Sequence, residues 1–199
     1  MLATEDITAI ILSGGQGARM DGKDKGLVNY QGLPMIEHVI KRIAPQVKNI
    51  VISCNRNFAA YGAYGFPLAG DKRTTNTSPC FEGPLAGIQA GLNKIKTKAA
   101  IIVPCDSPNI PQDLVKRLRL KLNASNSLAA TPFDGKRVQP LFSLITTAAQ
   151  KPLDDYLNSG QRKVDVFFLQ LKTEIVDFSD SAAHFLNLNT LGSLHKPAI

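Results

Sequence analysis

Several features that would point to a particular class of protein are scarce or missing in this sequence of 199 residues. It contains no tryptophan, and no aromatic-rich strand suggests a platform on which nucleic acid bases could stack. Its 23 lysines and arginines are spread along the chain, without a run of five or six like charges. The net charge of +7 therefore favours a small polyanionic ligand over a nucleic acid duplex.

Cysteine and long apolar segments are also scarce. Cys54, Cys80 and Cys105 are odd in number and form no C-x-x-C pair, which argues against a disulfide framework or a zinc site and for a reducing compartment. No apolar stretch approaches the ~20 residues that a membrane span needs. The acidic start of the chain is followed by an apolar run too short for a signal peptide. We therefore expect a cytoplasmic protein that does not act at a membrane.

The most informative segment is the stretch at 7–27, whose sequence is ITAIILSGGQGARMDGKDKGL. It begins with an apolar, β-branched run of the length expected for a buried strand. The run ends in a glycine-rich turn, where missing side chains allow backbone N–H groups to approach an anion. Arg19, Lys23 and Lys25 follow at once. A strand, a glycine turn and gathered positive charge predict a site for a nucleotide polyphosphate.

Two familiar phosphate-binding loops do not fit this segment. The G-x-G-x-x-G pattern fails, because its third glycine would fall on Met20 when counted from Gly15. The G-x-x-x-x-G-K-[ST] pattern fits from Gly17 to Lys23 but then places Asp24 where a hydroxyl should hold magnesium. A carboxylate beside the phosphates would repel them. A different nucleotide-binding loop is therefore required.

The rest of the chain alternates strand and helix patterns, without an internal repeat or a low-complexity linker. An apolar content of 44% is enough for one full core, so we expect a single domain over 1–199. The alternation predicts a doubly wound α/β sheet, whose ligands bind beyond the carboxyl ends of the strands. The predicted strands lie at 7–12, 47–53, 66–69, 99–103, 128–131 and 141–144, and the predicted helices at 36–43, 85–95, 114–122 and around 153–157.

Two aspartates come directly after predicted strands. Asp106 follows the strongly apolar strand at 99–103, so burial of that strand brings a carboxylate to the ligand edge of the sheet. Magnesium prefers such oxygen ligands and binds through one or two carboxylates plus substrate phosphates. Asp71 follows another strand and is a second metal ligand, a nucleotide contact or a turn residue.

Five motifs, spread over most of the chain, resemble the motifs of one protein family. The loop L-S-G-G-x-x-x-R-M-x-G-x-D-K-G resembles the signature loop of nucleotidyltransferases of the molybdenum cofactor guanylyltransferase kind, L-A-G-G-x-x-x-R-M-G-G-x-D-K-G. Four further motifs match the same family in order: G-P-L-A-G at 83–87, P-C-D-S-P at 104–108, G-Q-R-K-V at 160–164 and N-L-N-T at 187–190.

The resemblance implies a three-layer α/β/α, Rossmann-like nucleotidyltransferase fold with a mostly parallel central sheet. It implies that the N-terminal half binds the nucleotide and the C-terminal half binds the pterin. The catalytic residues implied are Arg19, Lys25 and Asp106, with Asp106 also the metal ligand. The implied nucleotide-binding residues are Leu12, Ser13, Gly14, Gly15, Lys25, Ser53, Asn55, Asp71 and Asp106, and the implied pterin-binding residues are Arg162, Asn187 and Asn189.

The reaction implied by the resemblance transfers GMP from GTP to the phosphate of molybdopterin, with Mg²⁺ as the cofactor and pyrophosphate as the second product. The partners implied are GTP, molybdopterin, and transiently the proteins of cofactor synthesis and the molybdoenzymes that receive the product. Departures from the family pattern are Ser13 for Ala, Asp21 for Gly, Lys163 for Arg and Ser53 for Asn.

Three alternatives stay open. The nearest is a related nucleotidyltransferase that uses CTP or acts on a sugar or alcohol phosphate. Cytidylyl members of the family tend to carry Ala-Ala-Gly in place of Ser13-Gly14-Gly15, and the extra glycine of this chain gives room for guanine. The other two are an inactive relative that only carries the cofactor and, more remotely, a nucleic acid binder.

Overall fold

A seven-stranded sheet flanked by helices organises the chain. The computed structural model describes residues 1–15, 22–71, 82–186 and 188. The strands of the described residues are β1 (Ile7–Leu12), β2 (Asn29–Tyr30), β3 (Leu33–Pro34), β4 (Asn49–Ser53), β5 (Leu68–Ala69), β6 (Ala99–Pro104), β7 (Ala129–Phe133), β8 (Leu144–Thr146) and β9 (Glu174–Asp177). The α-helices are α1 (Met35–Ile43), α2 (Phe58–Gly62), α3 (Pro84–Leu92), α4 (Leu114–Asn123), α5 (Gln150–Asn158) and α6 (Val164–Gln170).

The main sheet has the strand order β5-β4-β1-β6-β8-β7-β9. The pairs β5–β4, β4–β1, β1–β6 and β7–β9 are parallel, whereas β8 is antiparallel to both of its neighbours. Among the described strands of this sheet, β8 alone therefore runs opposite to the others. The prediction of a mostly parallel central sheet is confirmed. β2 and β3 form a separate antiparallel pair.

The sheet separates two helical layers because its strands alternate their apolar side chains between the two faces. In β1, Ile7, Ala9 and Ile11 face one core, whereas Ile10 faces the other. Helices α1 and α4 bury their apolar sides in the first core, and α3, α5 and α6 bury theirs in the second. This arrangement is the predicted three-layer α/β/α fold.

Helix α3 lies unusually close to the sheet. A Cβ added at Gly91 would come within 2.7 Å of the Ile10 side chain, so a glycine is needed where the helix crosses β1. The start of α3, at Pro84, thereby lies near the carboxyl end of β1, where the predicted site is. None of the helices in the described part of the chain combines the length and hydropathy needed to cross a bilayer.

The predicted strand at 141–144 is displaced in the structure. Pro140–Phe142 forms one turn of 3-10 helix, closed by the backbone hydrogen bond from Phe142 N to Gln139 O (3.0 Å), and β8 begins only at Leu144. The apolar run did not reveal this turn, because Leu141 and Phe142 have the same composition as a strand. The predicted pairing with the strand before Asp134 is confirmed, since β7 and β8 are antiparallel neighbours.

Candidate functional site

Four parallel strands bring their carboxyl ends to one edge of the sheet. The last residues of β5, β4, β1 and β6 are paired with one another across the sheet. The second residue after each of these strands is Asp71, Asn55, Gly14 and Asp106, respectively. The site is thus a row with an acid at each end and an amide and a glycine between them.

Asn55 and Asp71 form the β5 end of this row. Asn55 Nδ2 donates a hydrogen bond of 2.7 Å to Asp71 Oδ2, and Asp71 N donates one of 2.9 Å to Asn55 Oδ1. Burial raises the pKa of the Asp71 carboxyl, while Asn55 and the backbone N–H of Glu82 lower it. Asp71 Oδ1 is buried and accepts no hydrogen bond of normal geometry from the described residues. A polar ligand at this oxygen would satisfy it.

Lys25 and Asp106 form the other end of the row. Lys25 Nζ lies 2.9 Å from Asp106 Oδ2, and the two side chains are 24% and 10% exposed. Lys25 begins a short 3-10 helix, Lys25–Leu27, directly after the glycine-rich loop. The structure therefore brings together two of the three predicted catalytic residues. The third, Arg19, lies outside the described residues, and so does Asp21.

The strand order shows whether Asp71 and Asp106 can bind the same metal ion. β5 and β6 are separated by β4 and β1, so three strand spacings, about 14 Å, lie between the positions of Asp71 and Asp106. Oxygen ligands of one magnesium ion lie at about 2.1 Å from it, so these two carboxylates do not ligate the same ion. Asp71 is thus left with the role of a nucleotide contact or of a turn residue.

The donor chemistry around Asp106 suits a hard cation. Among the described residues, no group of three or more His, Cys, Asp and Glu side chains forms a metal cage. Asp106 instead presents one partly accessible carboxylate, and the Lys25 ammonium beside it shows that the position favours positive charge. Magnesium usually binds through one or two carboxylates, with waters and substrate phosphates as its other ligands, so a single aspartate fits this ion.

Sequence reasoning missed a buried network behind the loop, centred on Asp24. Tyr61 OH donates a hydrogen bond of 2.5 Å to Asp24 Oδ1, and Asn57 Nδ2 donates one of 2.9 Å to Asp24 Oδ2. Arg56 Nε lies 3.5 Å from the same oxygen. Asp24 is therefore compensated within the protein and does not repel a phosphate as a free carboxylate would. No local pattern connects residues more than thirty positions apart, although the N-R-N sequence at 55–57 directly after a strand was a usable signal.

The backbone around Ser13 forms hydrogen bonds with the neighbouring strand ends. Ser13 N donates a hydrogen bond of 2.7 Å to Ser53 O, and Leu12 O accepts one of 3.1 Å from Cys105 N. The Ser13 hydroxyl lies beside Tyr61. The pKa of Tyr61 is raised, mainly by burial and also by the nearby Cys105 and Asp24, and the Ser13 hydroxyl offsets only part of this increase. A Cβ at Gly15 would meet no atom of the described residues within 4 Å. Among the predicted nucleotide-binding glycines of this loop, Gly15 therefore has space beside it as far as the described residues are concerned, whereas a Cβ at Gly14 would lie 3.2 Å from Asn55 Nδ2.

Ser53 is buried beneath the start of α3. A Cβ added at Gly87 would come within 2.8 Å of Ser53 Oγ and 3.2 Å of Leu12 Cδ2. Gly87 therefore allows α3 to pack directly on the ends of β1 and β4. Ser53, the last residue of β4, supports the site from within the protein, while Asn55, two positions later, belongs to the row at the ligand edge.

The predicted pterin-binding residues are described only in part. Arg162 Nη1 donates to the backbone oxygens of Leu157 (2.8 Å) and Gln161 (2.7 Å), and Arg162 Nη2 lies 3.6 Å from Glu82 Oε2. Asn187 and Asn189 lie outside the described residues, but Leu188 between them donates its N–H to Asp106 O at 2.9 Å. The chain at 188 therefore passes beside the carboxyl end of β6.

The cysteine next to Asp106 is poorly placed to act as a nucleophile. Cys105 is buried, and burial, together with the charges of Asp106 and Asp24, raises the pKa of its thiol. The interpretation of this residue as a small apolar core side chain fits these properties. Two histidines donate hydrogen bonds to backbone oxygens in the described region: His38 Nε2 to Tyr30 O (2.8 Å), and His184 Nδ1 to Asn109 O (2.6 Å), which is 75 positions earlier in the chain.

Comparison with known proteins places this site in a family context. Residues 9–173 match the family model described as the MobA-like NTP transferase domain. A molybdenum cofactor guanylyltransferase from Ralstonia pickettii is 41% identical over 207 residues, covering 100% of this chain and 98% of the relative. One from Bordetella petrii is 44% identical over 200 residues, covering 98% of this chain and 99% of the relative.

Solved structures agree on the fold. Molybdopterin-guanine dinucleotide biosynthesis protein A from Archaeoglobus fulgidus superposes with a TM-score of 0.76 at 22% identity, covering 94% of each chain. A 4-diphosphocytidyl-2C-methyl-D-erythritol synthase from Anaerococcus prevotii superposes with a TM-score of 0.67 at 12% identity, covering 96% of each chain. At these identities the likeness concerns the nucleotidyltransferase fold alone.

Proposed function

The chain belongs to the MobA-like NTP transferase family, and we propose on this basis that it transfers GMP from GTP to the phosphate of molybdopterin. The products are molybdopterin guanine dinucleotide and pyrophosphate. The observation that carries the proposal is the Lys25–Asp106 pair at the carboxyl edge of the sheet, directly after a glycine-rich loop. A cation and a metal-ligating acid side by side are what a triphosphate with its counter-ion needs.

The reaction is a single in-line substitution. A phosphate oxygen of molybdopterin attacks the α-phosphorus of GTP, a new phosphoanhydride bond forms, and the bond between this phosphorus and the oxygen that bridges to the β-phosphate breaks. The electron pair of that bond leaves with pyrophosphate. No atom is oxidised or reduced, and no covalent enzyme intermediate is required, so the lack of a paired nucleophile and base in the described site is consistent with this chemistry.

Nucleotidyltransferases of this family generally use a divalent metal. We propose that the ion is Mg²⁺ and that Asp106 holds it, because a single carboxylate that is 10% exposed at the ligand edge matches the preference of magnesium for few protein ligands. When bound, the ion neutralises charge on the triphosphate. Asp106 would then exchange its contact with Lys25 for one with the ion.

Lys25 and Arg19 supply the remaining positive charge in this proposal. The Lys25 ammonium, once released from Asp106, binds the phosphates and stabilises the charge that grows on the leaving pyrophosphate. The Asn55–Asp71 pair lies at the far end of the row, with Asp71 about 14 Å and Asn55 about 9 Å from Asp106, distances suited to the nucleoside rather than to its phosphates. We therefore assign Asp71 and Asn55 to the nucleoside end. On the family resemblance alone we also assign to it the loop residues after β1 and, as support from within the protein, Ser53; the loop residues are Leu12, Ser13, Gly14 and Gly15.

The acceptor side is supported by two contacts. Arg162 pairs with Glu82, directly before α3, and Leu188 donates a hydrogen bond to the backbone of Asp106. The backbone N–H of Glu82 in turn interacts with the Asp71 carboxyl, so the segments at 162 and 188 are connected to the two ends of the nucleotide row. These segments carry or adjoin the proposed pterin residues, which are Arg162, Asn187 and Asn189. We propose that the pterin phosphate enters from this side and that no nucleic acid takes part.

We also propose that the enzyme works in the cytoplasm and transiently contacts proteins of cofactor synthesis and the molybdoenzymes that receive its product. The described cysteines, Cys54 and Cys105, are buried free thiols, which is consistent with a reducing compartment. Cell fractionation tests the location, and cross-linking in cells that assemble molybdoenzymes tests the contacts.

A product assay tests the function directly. The purified protein is incubated with molybdopterin, Mg²⁺ and each of the four nucleoside triphosphates, and the products are identified by mass spectrometry. We expect a guanine dinucleotide and one pyrophosphate per product molecule, from GTP only. Product from CTP, or transfer to a sugar phosphate instead of molybdopterin, would establish the alternative nucleotidyltransferases. Binding of molybdopterin without any product would establish the inactive carrier.

Two substitutions connect the assay to the site. Asp106→Asn and Lys25→Met should each lower the rate by about 10²–10³-fold, the usual effect of losing one preorganised electrostatic group. Lys96→Met is the matched control, because Lys96 is exposed just before β6 begins, at the opposite edge of the sheet from the row. Full activity of Asp106→Asn would remove Asp106 from the site.

A further inference from the structure

Arg56 joins the two ends of the glycine-rich loop. It follows β4 by three positions, and its guanidinium donates from Nη1 to Gly22 O at 2.9 Å and from Nη2 to Gly15 O at 3.3 Å. Gly15 and Gly22 are the described residues that flank the stretch 16–21. One planar cation therefore bridges two carbonyl groups that are seven positions apart in the sequence.

The Arg56 guanidinium also forms an ion pair with the buried carboxylate of Asp24. Its Nε lies 3.5 Å from Asp24 Oδ2, and the Asp24 side chain is only 5% exposed. Asn57 and the fully buried Tyr61 donate the two hydrogen bonds that fix this carboxylate. The segment after β4 thus supplies three groups to Asp24, and Arg56 alone of these three also reaches the loop ends.

This arrangement has a direct connection to the phosphate-binding lysine. Asp24 is the neighbour of Lys25 in the chain, and Lys25 contacts Asp106. Fixing Asp24 therefore fixes the backbone from which Lys25 extends. In addition, the carbonyl oxygens of Gly15 and Gly22 point towards Arg56 because they accept its hydrogen bonds. The negative ends of these two carbonyl dipoles are thereby kept away from a bound phosphate.

We propose that Arg56 is a positioning residue for the nucleotidyl transfer, holding the two loop ends and Asp24 in the arrangement that binds a nucleoside triphosphate. The inference rests on the proposed function for the identity of the ligand. The physical reason is preorganisation: a loop whose ends are fixed beforehand loses less conformational freedom when the ligand binds. The role also requires the forked guanidinium, because a lysine ammonium cannot donate two parallel hydrogen bonds from one plane.

The test compares Arg56→Lys and Arg56→Gln with wild type, using the full chain. Arg137→Gln is the matched control, since Arg137 is exposed on the turn between β7 and β8. The measurements are titration calorimetry of GTP with Mg²⁺, steady-state kinetics with both substrates varied, and hydrogen exchange of the 14–25 segment without nucleotide. Thermal unfolding shows whether each variant is folded.

We expect both Arg56 variants to bind GTP about tenfold to a hundredfold more weakly. Their KM for GTP should rise while their KM for molybdopterin stays as in wild type, and exchange in 14–25 should be faster before any ligand is added. Arg56→Lys retains the charge, so a loss similar to that of Arg56→Gln shows that the forked geometry matters. Arg137→Gln should match wild type in every measurement.

Wild-type GTP affinity and unchanged exchange in Arg56→Lys would overturn the inference. If both variants fail to fold, wild type alone decides. The amides of Leu27 and Val28, which donate to Asp24 O and Lys25 O, must be protected without nucleotide, and rapid exchange of these two amides overturns the inference. If wild type does not bind GTP but binds another triphosphate, the proposed function is wrong. The comparison of hydrogen exchange between wild type and the Arg56 variants still tests the positioning role. The two failures are thus distinguishable.

Discussion

The side chains of Asn55 and Asp71 are joined by a pair of hydrogen bonds across the ends of two neighbouring strands. Asn55 donates to the carboxylate at 2.7 Å and accepts from the backbone N of Asp71 at 2.9 Å. The pair fixes the carboxylate, yet within the described part of the chain it leaves Oδ1 buried without a hydrogen bond of normal geometry. A group that is held in place but incompletely satisfied is characteristic of a binding position, where ligand contact compensates for instability of the free protein.

Replacing Asp71 by asparagine should therefore stabilise the protein near neutral pH. Burial raises the pKa of Asp71 above its ordinary value of 3.8. Below pH 3.8 the carboxyl is protonated in both states; as the pH rises, the unfolded chain loses its proton first, so stability falls until the pH passes the raised value. Asp71→Asn removes this loss. A change of about 1 kcal/mol shifts the Tm of a domain of this size by about 2–4 °C.

Thermal unfolding of Asp71→Asn between pH 3 and pH 8 checks this prediction. The gain in Tm over wild type should be largest near pH 7 and should disappear below pH 4, while GTP binding is weakened. Asp180→Asn is a control of opposite sign, because the hydrogen bond from Arg117 lowers the pKa of Asp180. A lower Tm for Asp71→Asn at pH 7 would contradict the claim that the buried Asp71 carboxylate destabilises the free protein.

The parts of the site that follow from local patterns could be predicted from the sequence. The apolar runs before Ser13 and Asp106 are strands because their composition and length suit a buried parallel sheet, and such strands place the following residues at one edge. The Asp24 network could not be predicted in this way. Its members lie in the loop, in the turn after β4 and in α2, and only the packing of α2 brings Tyr61 to Asp24.

Lys25→Met should have opposite effects on metal and on nucleotide. Lys25 occupies Asp106 Oδ2 at 2.9 Å, so its removal leaves the carboxylate without its ammonium partner. We expect the variant to bind Mn²⁺, as a probe for the divalent ion, severalfold more tightly than wild type without nucleotide. Its affinity for GTP should fall at the same time. Titration followed by electron paramagnetic resonance measures the free metal. Equal Mn²⁺ affinity in Lys25→Met, wild type and the control Lys96→Met would show that Lys25 does not compete for Asp106.

Gly87 and Ser53 should show strong coupling in a double-mutant cycle. The Cβ of Gly87→Ala would lie 2.8 Å from Ser53 Oγ, a contact that forces α3 or the serine to move. We expect Gly87→Ala alone to lower the Tm and the activity. Ser53→Ala removes the hydroxyl, so the double variant should be more stable than the sum of the single effects indicates. Additive changes in Tm would mean that the Leu12 contact at 3.2 Å, which remains in the double variant, dominates.

Gly14 and Gly15 should respond differently to alanine, although they are neighbours in the sequence. A Cβ at Gly14 would lie 3.2 Å from Asn55 Nδ2, so Gly14→Ala should displace the amide that fixes Asp71. We expect a lower Tm in the free protein and a smaller preference for GTP over CTP. The preference is measured as the ratio of the two kcat/KM values with molybdopterin as the acceptor.

Gly15→Ala tests the open side of the loop. Its Cβ would meet no atom within 4 Å in the part of the chain that the structure describes, so the free protein should keep the Tm of wild type. If the nucleotide occupies that space, the added methyl group contacts it directly, and the KM for GTP should rise about tenfold to 200-fold, the range that one methyl group in a binding pocket can produce. An unchanged KM together with an unchanged Tm would place the nucleotide elsewhere. A lower Tm without any ligand would instead show that the space beside Gly15 is needed by the protein itself.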